Sequence, residues 1–392
     1  MRILFIKRDL AWPRARGHDI YSYYMMQALE RAGHKVSLAT VAPPSAEALA
    51  GLQLSQAFSL ESAEGSHAVP PRLGRLQERF CSYWGVERRW IATAGRLAKQ
   101  WKADAVVAVG LDALPCLAAV ESSVRVWYVA DDPAWRHLSQ VQWMSLGTWN
   151  HLPIALVSAV YERAFAGCTD RVWVVSEADR RAVRLFAGIR ETDVIALGVD
   201  GDYFRPHPGS MQTHTCVFWG RLDFSPNLTA LEWFRNKVWT RLHREVSDAH
   251  FTIYGLHPGP AVRAWDQLPG ISVVADLPDL RSAVCQHQIV VLPFITGGGV
   301  KNKLLEAAAM GKAIVSSPRG CNGLRTNAPL PLVRASQPRH WRRAIRELWE
   351  RDAERQRLES AAREWVVQYH SWTAAAREAV TGLERSMRLR CA

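Results

Sequence analysis

The 392-residue sequence lacks the patterns that identify several common protein classes. Its seven cysteines are scattered, with no CxxC pair and no zinc-ligand spacing, which argues against a disulfide framework and a zinc site. No uninterrupted apolar run approaches the ~18 residues of a membrane span, and the N-terminal apolar run is too short for a signal peptide. These absences predict a cytoplasmic protein, with the inner face of the cell membrane as the alternative location.

Recognition motifs for nucleic acids and redox cofactors are missing as well. There is no helix-turn-helix signature, RNP motif or zinc finger, so no nucleic-acid partner is expected. A GxGxxG fingerprint is also absent, which argues against a nicotinamide or flavin cofactor. The formal net charge is nevertheless +12, so the partners we expect are phosphate-bearing substrates or anionic membrane surfaces.

Short apolar strands alternate with helical segments along the whole chain. The strand candidates fall into two series, at 2–6, 35–41, 104–109, 124–130 and 170–176, and at 215–220, 250–255, 271–276, 289–294 and 312–317. This alternation predicts an α/β fold with two Rossmann-like, doubly wound domains facing a cleft. We assign an N-terminal acceptor-binding domain to 1–205, a C-terminal donor-binding domain to 206–370 and a helix that crosses back to 371–392.

A triple glycine interrupts the stretch "PFITGGGVKNKLLEAAAMGKAIVSS", residues 293–317. Gly297, Gly298, Gly299 and Val300 lie between a predicted buried strand and a predicted helix. The first amides of a helix have no internal partner, and a loop without side chains leaves them open to an anion. Lys301 and Lys303 would add positive charge, so the segment predicts a phosphate or diphosphate site, with a simple tight turn as the alternative. In the first domain, the loop that ends at Gly17 would oppose it across the cleft and help to enclose the anion, so Gly17 is a further candidate for donor binding.

Several motifs resemble those of one enzyme family and occur along the chain in the same order as in that family. They are "VIALGVDGDYFRPHP", "FWGRLDFSPN", "PFITGGGVKNKLLEAAAMGKAIVSSPRGCNGL" and the terminal "YHSW". Together they resemble the retaining glycosyltransferases of the GT-B fold, in particular glycosyltransferase family 4 of the group 1 type. The resemblance covers most of the chain and is strongest from about residue 170 to 375.

The resemblance implies roles for individual residues. Glu306 matches the carboxylate that binds the ribose hydroxyls, and Arg221 matches the arginine that neutralises the donor diphosphate. Lys301 and Lys303 are candidates for a second cation. Gly255 and Asp276 match positions near the nucleotide base.

Two positions depart from the family pattern. Gly298 stands where the family often has a glutamate that contacts the donor sugar, so backbone amides would take over that contact. In "GRLDFSPN", Ser225 and Pro226 occupy the region where a lysine is frequent, which makes Lys301 and Lys303 more important for the diphosphate. The loss of the glutamate at Gly298 leaves open a change or loss of activity.

The first-domain catalytic position is ambiguous. Where many relatives have a histidine after the strand matching "VRVWYVA", this sequence has Asp131 and Asp132. Either aspartate could orient the donor sugar or the acceptor hydroxyl. The alternative is a helix N-cap, because Pro133 at the next position is typical of a first helical residue. We therefore list Asp131, Asp132, Arg221 and Lys301 as catalytic candidates.

The implied function is retaining, metal-independent transfer of a sugar from a nucleotide-diphosphate donor to a hydroxyl acceptor, without a cofactor. The acceptor would be a glycan, a lipid-linked molecule or a small molecule, and the pathway cell-envelope or exopolysaccharide assembly. The alternatives are a nucleotide-sugar epimerase and a catalytically silent nucleotide-sugar-binding protein.

A basic, aromatic segment at 71–102 is not explained by this function. It carries eight Arg or Lys residues against two Glu, with five aromatic residues interleaved. Such helices bind anionic membranes peripherally, or they pack as ordinary domain helices with solvated arginines and buried tryptophans.

Overall fold

The computed structural model describes residues 1–12, 17–61, 71–129, 132–141, 146–297 and 299–391. The chain forms two compact units. Unit 1 comprises Met1–Gly198 and the chain from Trp372 onward, and unit 2 is Val199–Ser371. Val199 and Ser371 form a parallel β-bridge, and the ring of Trp372 packs on Gly198.

Unit 1 contains a parallel sheet of seven strands within the described residues. The strands are β1 (Arg2–Lys7), β2 (Lys35–Thr40), β3 (Gln56–Ser59), β4 (Ala105–Val109), β5 (Val124–Val129), β6 (Arg171–Val174) and β7 (Thr192–Val194). Their order is β3-β2-β1-β4-β5-β6-β7. All five residues of the central β4 are buried, as expected for a parallel strand that is covered on both faces.

The helices of unit 1 cover this sheet. They are α1 (Gly17–Arg31), α2 (Ala46–Leu49), α3 (Arg75–Trp84), α4 (Arg88–Gln100), α5 (Pro133–Leu138), α6 (His151–Phe165) and α7 (Glu177–Phe186), joined by the C-terminal α15 (Trp372–Cys391). Trp372 stacks on Tyr24 of α1 with ring centroids 5.5 Å apart. Arg390 donates to the Ser123 carbonyl at 2.6 Å, so both ends of α15 are attached to unit 1.

Unit 2 contains a second parallel sheet, of six strands within the described residues. The strands are β8 (Gln212–Arg221), β9 (His250–Leu256), β10 (Ile271–Ala275), β11 (His287–Leu292), β12 (Ala313–Ser316) and β13 (Val333–Arg334), in the order β10-β9-β8-β11-β12-β13. The helices are α8 (Ser225–Phe234), α9 (Thr240–Glu245), α10 (Pro260–Arg263), α11 (Arg281–Cys285), α12 (Asn302–Ala309), α13 (Pro338–Glu350) and α14 (Asp352–Tyr369).

The predicted fold class of two Rossmann-like α/β sheets is confirmed. In each sheet the strand order reverses once, between β1 and β4 in unit 1 and between β8 and β11 in unit 2. Ligands of such sheets bind beyond the carboxyl ends of the strands at this reversal. Among the residues that the structure describes, no helix combines the length and the apolar character that a membrane crossing needs.

Candidate functional site

The glycine loop joins β11 to α12 at the strand-order reversal of unit 2. Gly297 and Gly299 have φ values of +85° and +71°, a left-handed backbone that favours glycine. Gly298 lies outside the described residues, and Val300 is buried. Lys301 occupies the N-cap position of α12, where a lysine offers no acceptor atom to the first helical amides.

Two lysine ammonium groups converge beside this helix start. Nζ of Lys301 lies 5.4 Å and Nζ of Lys303 lies 5.9 Å from the ring centroid of Phe294. Lys303 Nζ also donates to Asn227 Oδ1 at 3.4 Å. Burial lowers the pKa of Lys303, and the negative charge of Glu306 opposes that shift. Aromatic rings and a buried amide therefore hold two cations in place.

Gly220 makes room for Lys303, and Gly255 on the neighbouring strand makes room for the Gly220 carbonyl. A methyl group at Gly220 would lie 2.4 Å from Lys303 Cε and 2.7 Å from its Nζ, and Gly220 has a φ of +144°. Gly220 is in register with Gly255 on β9, where a methyl group would lie 2.4 Å from the Gly220 carbonyl oxygen. The predicted site residue Gly255 thus allows close backbone packing beside the loop.

Glu306 lies one turn into α12 and on the same helix face as Lys303. Its Oε2 accepts a hydrogen bond from Trp219 Nε1 at 2.9 Å. Burial raises the pKa of Glu306, while the Trp219 hydrogen bond and the Lys303 charge oppose that shift. Trp219 fixes the orientation of the carboxylate that the resemblance assigns to the ribose.

Arg221 ends β8, and its guanidinium is exposed. It donates two hydrogen bonds to Asp223, at 3.0 and 2.7 Å, and thereby lowers the pKa of that carboxyl. The Arg221 carbonyl accepts from Asn227 Nδ2 at 2.7 Å, so Asn227 joins the end of β8 to Lys303. A diphosphate would compete with Asp223 for the arginine.

Asp276 follows β10 and contacts the end of β9. It has a φ of +53°, and its amide donates to the Gly255 carbonyl at 3.0 Å. Its Oδ1 accepts from the amide of His257, which is itself left-handed at +56°. Two non-glycine residues in this backbone conformation lie side by side, which is common near ligand sites.

The first-unit candidates occupy a different setting. Asp131 lies outside the described residues. Asp132 is fully buried and caps α5 by accepting from the Trp135 amide at 2.7 Å, as the N-cap alternative requires. Glu162 on α6 accepts from the Ala134 amide at 3.2 Å, and burial together with the neighbouring Asp132 raises its pKa far above the usual range.

Gly17 is the first residue of α1, and charged residues lie at or just after the carboxyl ends of β1 and β4. Lys7 forms a buried ion pair with Asp19 and donates to the Asp9 carbonyl at 2.6 Å. A small cavity beside Lys7 is bordered by Asp112, whose pKa burial raises, and by Val41, Leu60 and Trp90.

The comparisons with known proteins agree with this fold. Residues 213–351 match the family model described as glycosyl transferases group 1. No curated protein sequence matches the chain. Sucrose-phosphate synthase from Thermosynechococcus elongatus has a similar structure, with 14% identity, a TM-score of 0.71 and 99% of both chains covered. Alr3699/HepE from Anabaena, solved with UDP and glucose, shows 14% identity and a TM-score of 0.64, covering 98% of this chain and 99% of that one.

The fold is GT-B. A third structure of this kind, the putative UDP-N-acetylglucosamine 2-epimerase from Listeria monocytogenes, shows 12% identity and a TM-score of 0.56, covering 99% of this chain and 96% of that one. The GT-B fold therefore accommodates more than one activity among these similar structures.

The residues that match the family model, 213–351, include every predicted site residue of unit 2. Arg221, Gly255, Lys301, Lys303 and Glu306 lie at the ends of β8 and β9 and at the start of α12. Phe294, Trp219 and Asn227 contact these residues and had no predicted role. The quoted "FWG" and "SPN" contain two of them, but only the three-dimensional contacts show what they do.

Proposed function

We propose that the protein is a retaining glycosyltransferase that moves a sugar from a nucleotide-diphosphate donor to a hydroxyl acceptor. The observation that carries the proposal is the pair of ammonium groups, Lys301 and Lys303, beside Phe294 at the start of α12. A diphosphate leaving group gains negative charge as the anomeric bond breaks, and fixed cations stabilise that charge. The helix amides would hold the distal phosphate.

Glu306 would accept hydrogen bonds from the ribose hydroxyls through the oxygen that Trp219 leaves available. Arg221 would exchange its hydrogen bonds to Asp223 for contacts with the diphosphate. The departing phosphate oxygen would take the acceptor proton on the same face of the sugar, which gives retention without an enzymatic nucleophile. We propose that no metal takes part, because the lysines, the arginine and the amides supply the positive charge.

Calorimetric titration with UDP, GDP, ADP and TDP tests donor binding. Lys303→Met keeps the packing on Gly220 but removes the charge, and we expect about 10- to 100-fold weaker binding of the preferred diphosphate. The affinity of the Lys303→Met variant for the free nucleoside should not change. Glu306→Gln should weaken binding of both, because it acts on the ribose. The matched controls are Lys237→Met and Glu232→Gln, which are exposed in the same unit.

Two results would contradict this assignment. Wild-type affinity in both site variants would show that Lys303 and Glu306 do not belong to the donor site. An affinity loss of equal size in the exposed controls would indicate a general effect of charge. For a working enzyme, the anomeric configuration of the product reports retention, and activity in EDTA reports metal independence.

A nucleotide-sugar epimerase is the second candidate, supported by the similar structure of a putative epimerase. Both enzymes would bind the same donor. An epimerase interconverts the sugar without an acceptor, whereas a transferase releases the nucleotide only as an acceptor is consumed. The cell-envelope or exopolysaccharide pathway rests on the sequence resemblance alone, and an acceptor screen with lipid-linked and soluble glycans addresses it.

A further inference from the structure

Helix α6 presents an apolar side to solvent. Ile154, Leu156, Val157 and Val160 are 44%, 61%, 43% and 48% exposed, at the spacing of one helix face. The opposite side is buried and is itself largely apolar, with Ala155, Tyr161 and Phe165 beside Ser158 and Glu162. A surface helix of a globular protein normally has a polar outer side, so the outer face of α6 is suited to an apolar environment.

Helix α3 extends this apolar face. Tyr161 of α6 stacks on Tyr83 with centroids 6.4 Å apart and contacts Phe80 at 4.6 Å. Tyr83 is 72% exposed, and Leu76 and Trp84 on the same helix are 53% and 36% exposed. We call the exposed apolar residues of both helices the α3–α6 surface: Leu76, Tyr83, Trp84, Ile154, Leu156, Val157 and Val160.

Arginines border this surface. Arg72, Arg75 and Arg79 are exposed, and no carboxylate of the described residues lies within 4.0 Å of them. Arg88 forms an ion pair with Glu78, and Arg163 extends the positive charge to the far end of α6. Exposed aliphatic and aromatic side chains flanked by arginines are typical of a surface that lies in a membrane interface.

We propose that the α3–α6 surface binds an anionic lipid bilayer peripherally. Within the predicted segment 71–102, the contact falls on α3 and not on α4, since Trp90 and Trp101 of that region are only 6% and 9% exposed. A second copy of the chain is the less suitable occupant, because two such surfaces would bring exposed arginines close together, and their positive charges repel. The proposal does not depend on the catalytic assignment.

Co-sedimentation of the full chain with vesicles tests the proposal. We expect binding to vesicles that contain phosphatidylglycerol, little binding to pure phosphatidylcholine, and weaker binding as salt rises. Leu156→Glu with Val160→Glu should lower the partition coefficient at least tenfold. Arg75→Gln and Arg79→Gln should each lower it about fivefold, because a basic residue at an anionic surface contributes ~1 kcal/mol.

The controls are Leu389→Glu, at a leucine that is 71% exposed on α15, and Arg388→Gln on the same helix. Both should bind as the wild type does. The proposal fails if the wild type does not sediment with anionic vesicles, or if the surface variants bind as well as these controls. A dimer by light scattering that Leu156→Glu with Val160→Glu dissociates, without vesicle binding, would assign the surface to a second copy. The arginine variants leave the apolar packing intact, so they test the proposal even if the glutamates unfold the protein.

Discussion

Gly220→Ala should damage nucleotide binding through Lys303. The new methyl group would lie 2.4 Å from Lys303 Cε, whereas carbon atoms in ordinary contact are ~3.5–4.0 Å apart, so the lysine must retreat by about 1 Å. A displacement of that size can cost ~100-fold in a positioned interaction. The φ of +144° adds backbone strain of about 1–3 kcal/mol to the folded state.

Two measurements separate these effects. Urea unfolding should show the loss of stability, and calorimetry well below the melting temperature should show diphosphate binding that is weaker by about 10- to 100-fold. Gly209→Ala is the matched control, because nothing lies within 4 Å of its new methyl group and its φ is ordinary. In a Lys303→Met background, Gly220→Ala should change the affinity little, since coupled residues are not additive. Wild-type affinity in the single variant would refute the reasoning.

Three further predictions concern stability. Burial raises the pKa of Glu162 in the folded protein, so this residue does not oppose folding below the ordinary carboxyl pKa of ~4.3. As the pH rises from there toward the raised pKa, the free energy of unfolding should fall by about 1–3 kcal/mol. Glu162→Gln should flatten this fall in urea titrations at several pH values. Burial lowers the pKa of His287 to about 4, so the stability from its neutral form is complete above pH ~6.5 and is lost toward pH 4; His287→Gln should flatten the acid side of the same curve. Arg363 donates to the carbonyls of Gly201, Phe204 and Ala309, and Arg363→Met should destabilise the protein by about 2–4 kcal/mol because these acceptors lose their partner; an unchanged urea midpoint would contradict that role.

Much of the fold was predictable because buried parallel strands are continuous apolar runs. The "AVVAV" of β4 and the "IVVL" of β11 are fully buried, as their composition indicates. The order of the strands was not predictable in this way, because it depends on pairings between distant segments. The parallel register that pairs Gly220 with Gly255, for example, cannot be inferred from either strand alone.

The candidate site, like the fold, was predictable from the sequence only in part. The positions of Lys301, Lys303 and Glu306 at a helix start followed from spacing, and their donor-binding roles stay predictions. The aromatic support from Phe294 and the hydrogen bond from Trp219 depend on contacts between separate strands, so no local pattern indicates them. The outer face of α6 was missed because an apolar sequence such as "LPIALVSAV" predicts burial, and only the structure shows which side faces solvent.

Unit 2 is inserted into unit 1, since the chain enters it at Val199 and leaves it at Ser371, two residues that pair with each other. During synthesis, unit 2 is therefore complete before α15 emerges to finish unit 1. Val199 and Ser371 are adjacent, so residues 199–371 could be produced as a separate chain. Bringing the two termini of that chain together would have little entropic cost. Arg221, Lys301, Lys303 and Glu306 all lie within that segment, and its excision would separate their proposed binding of the nucleotide from the α3–α6 surface.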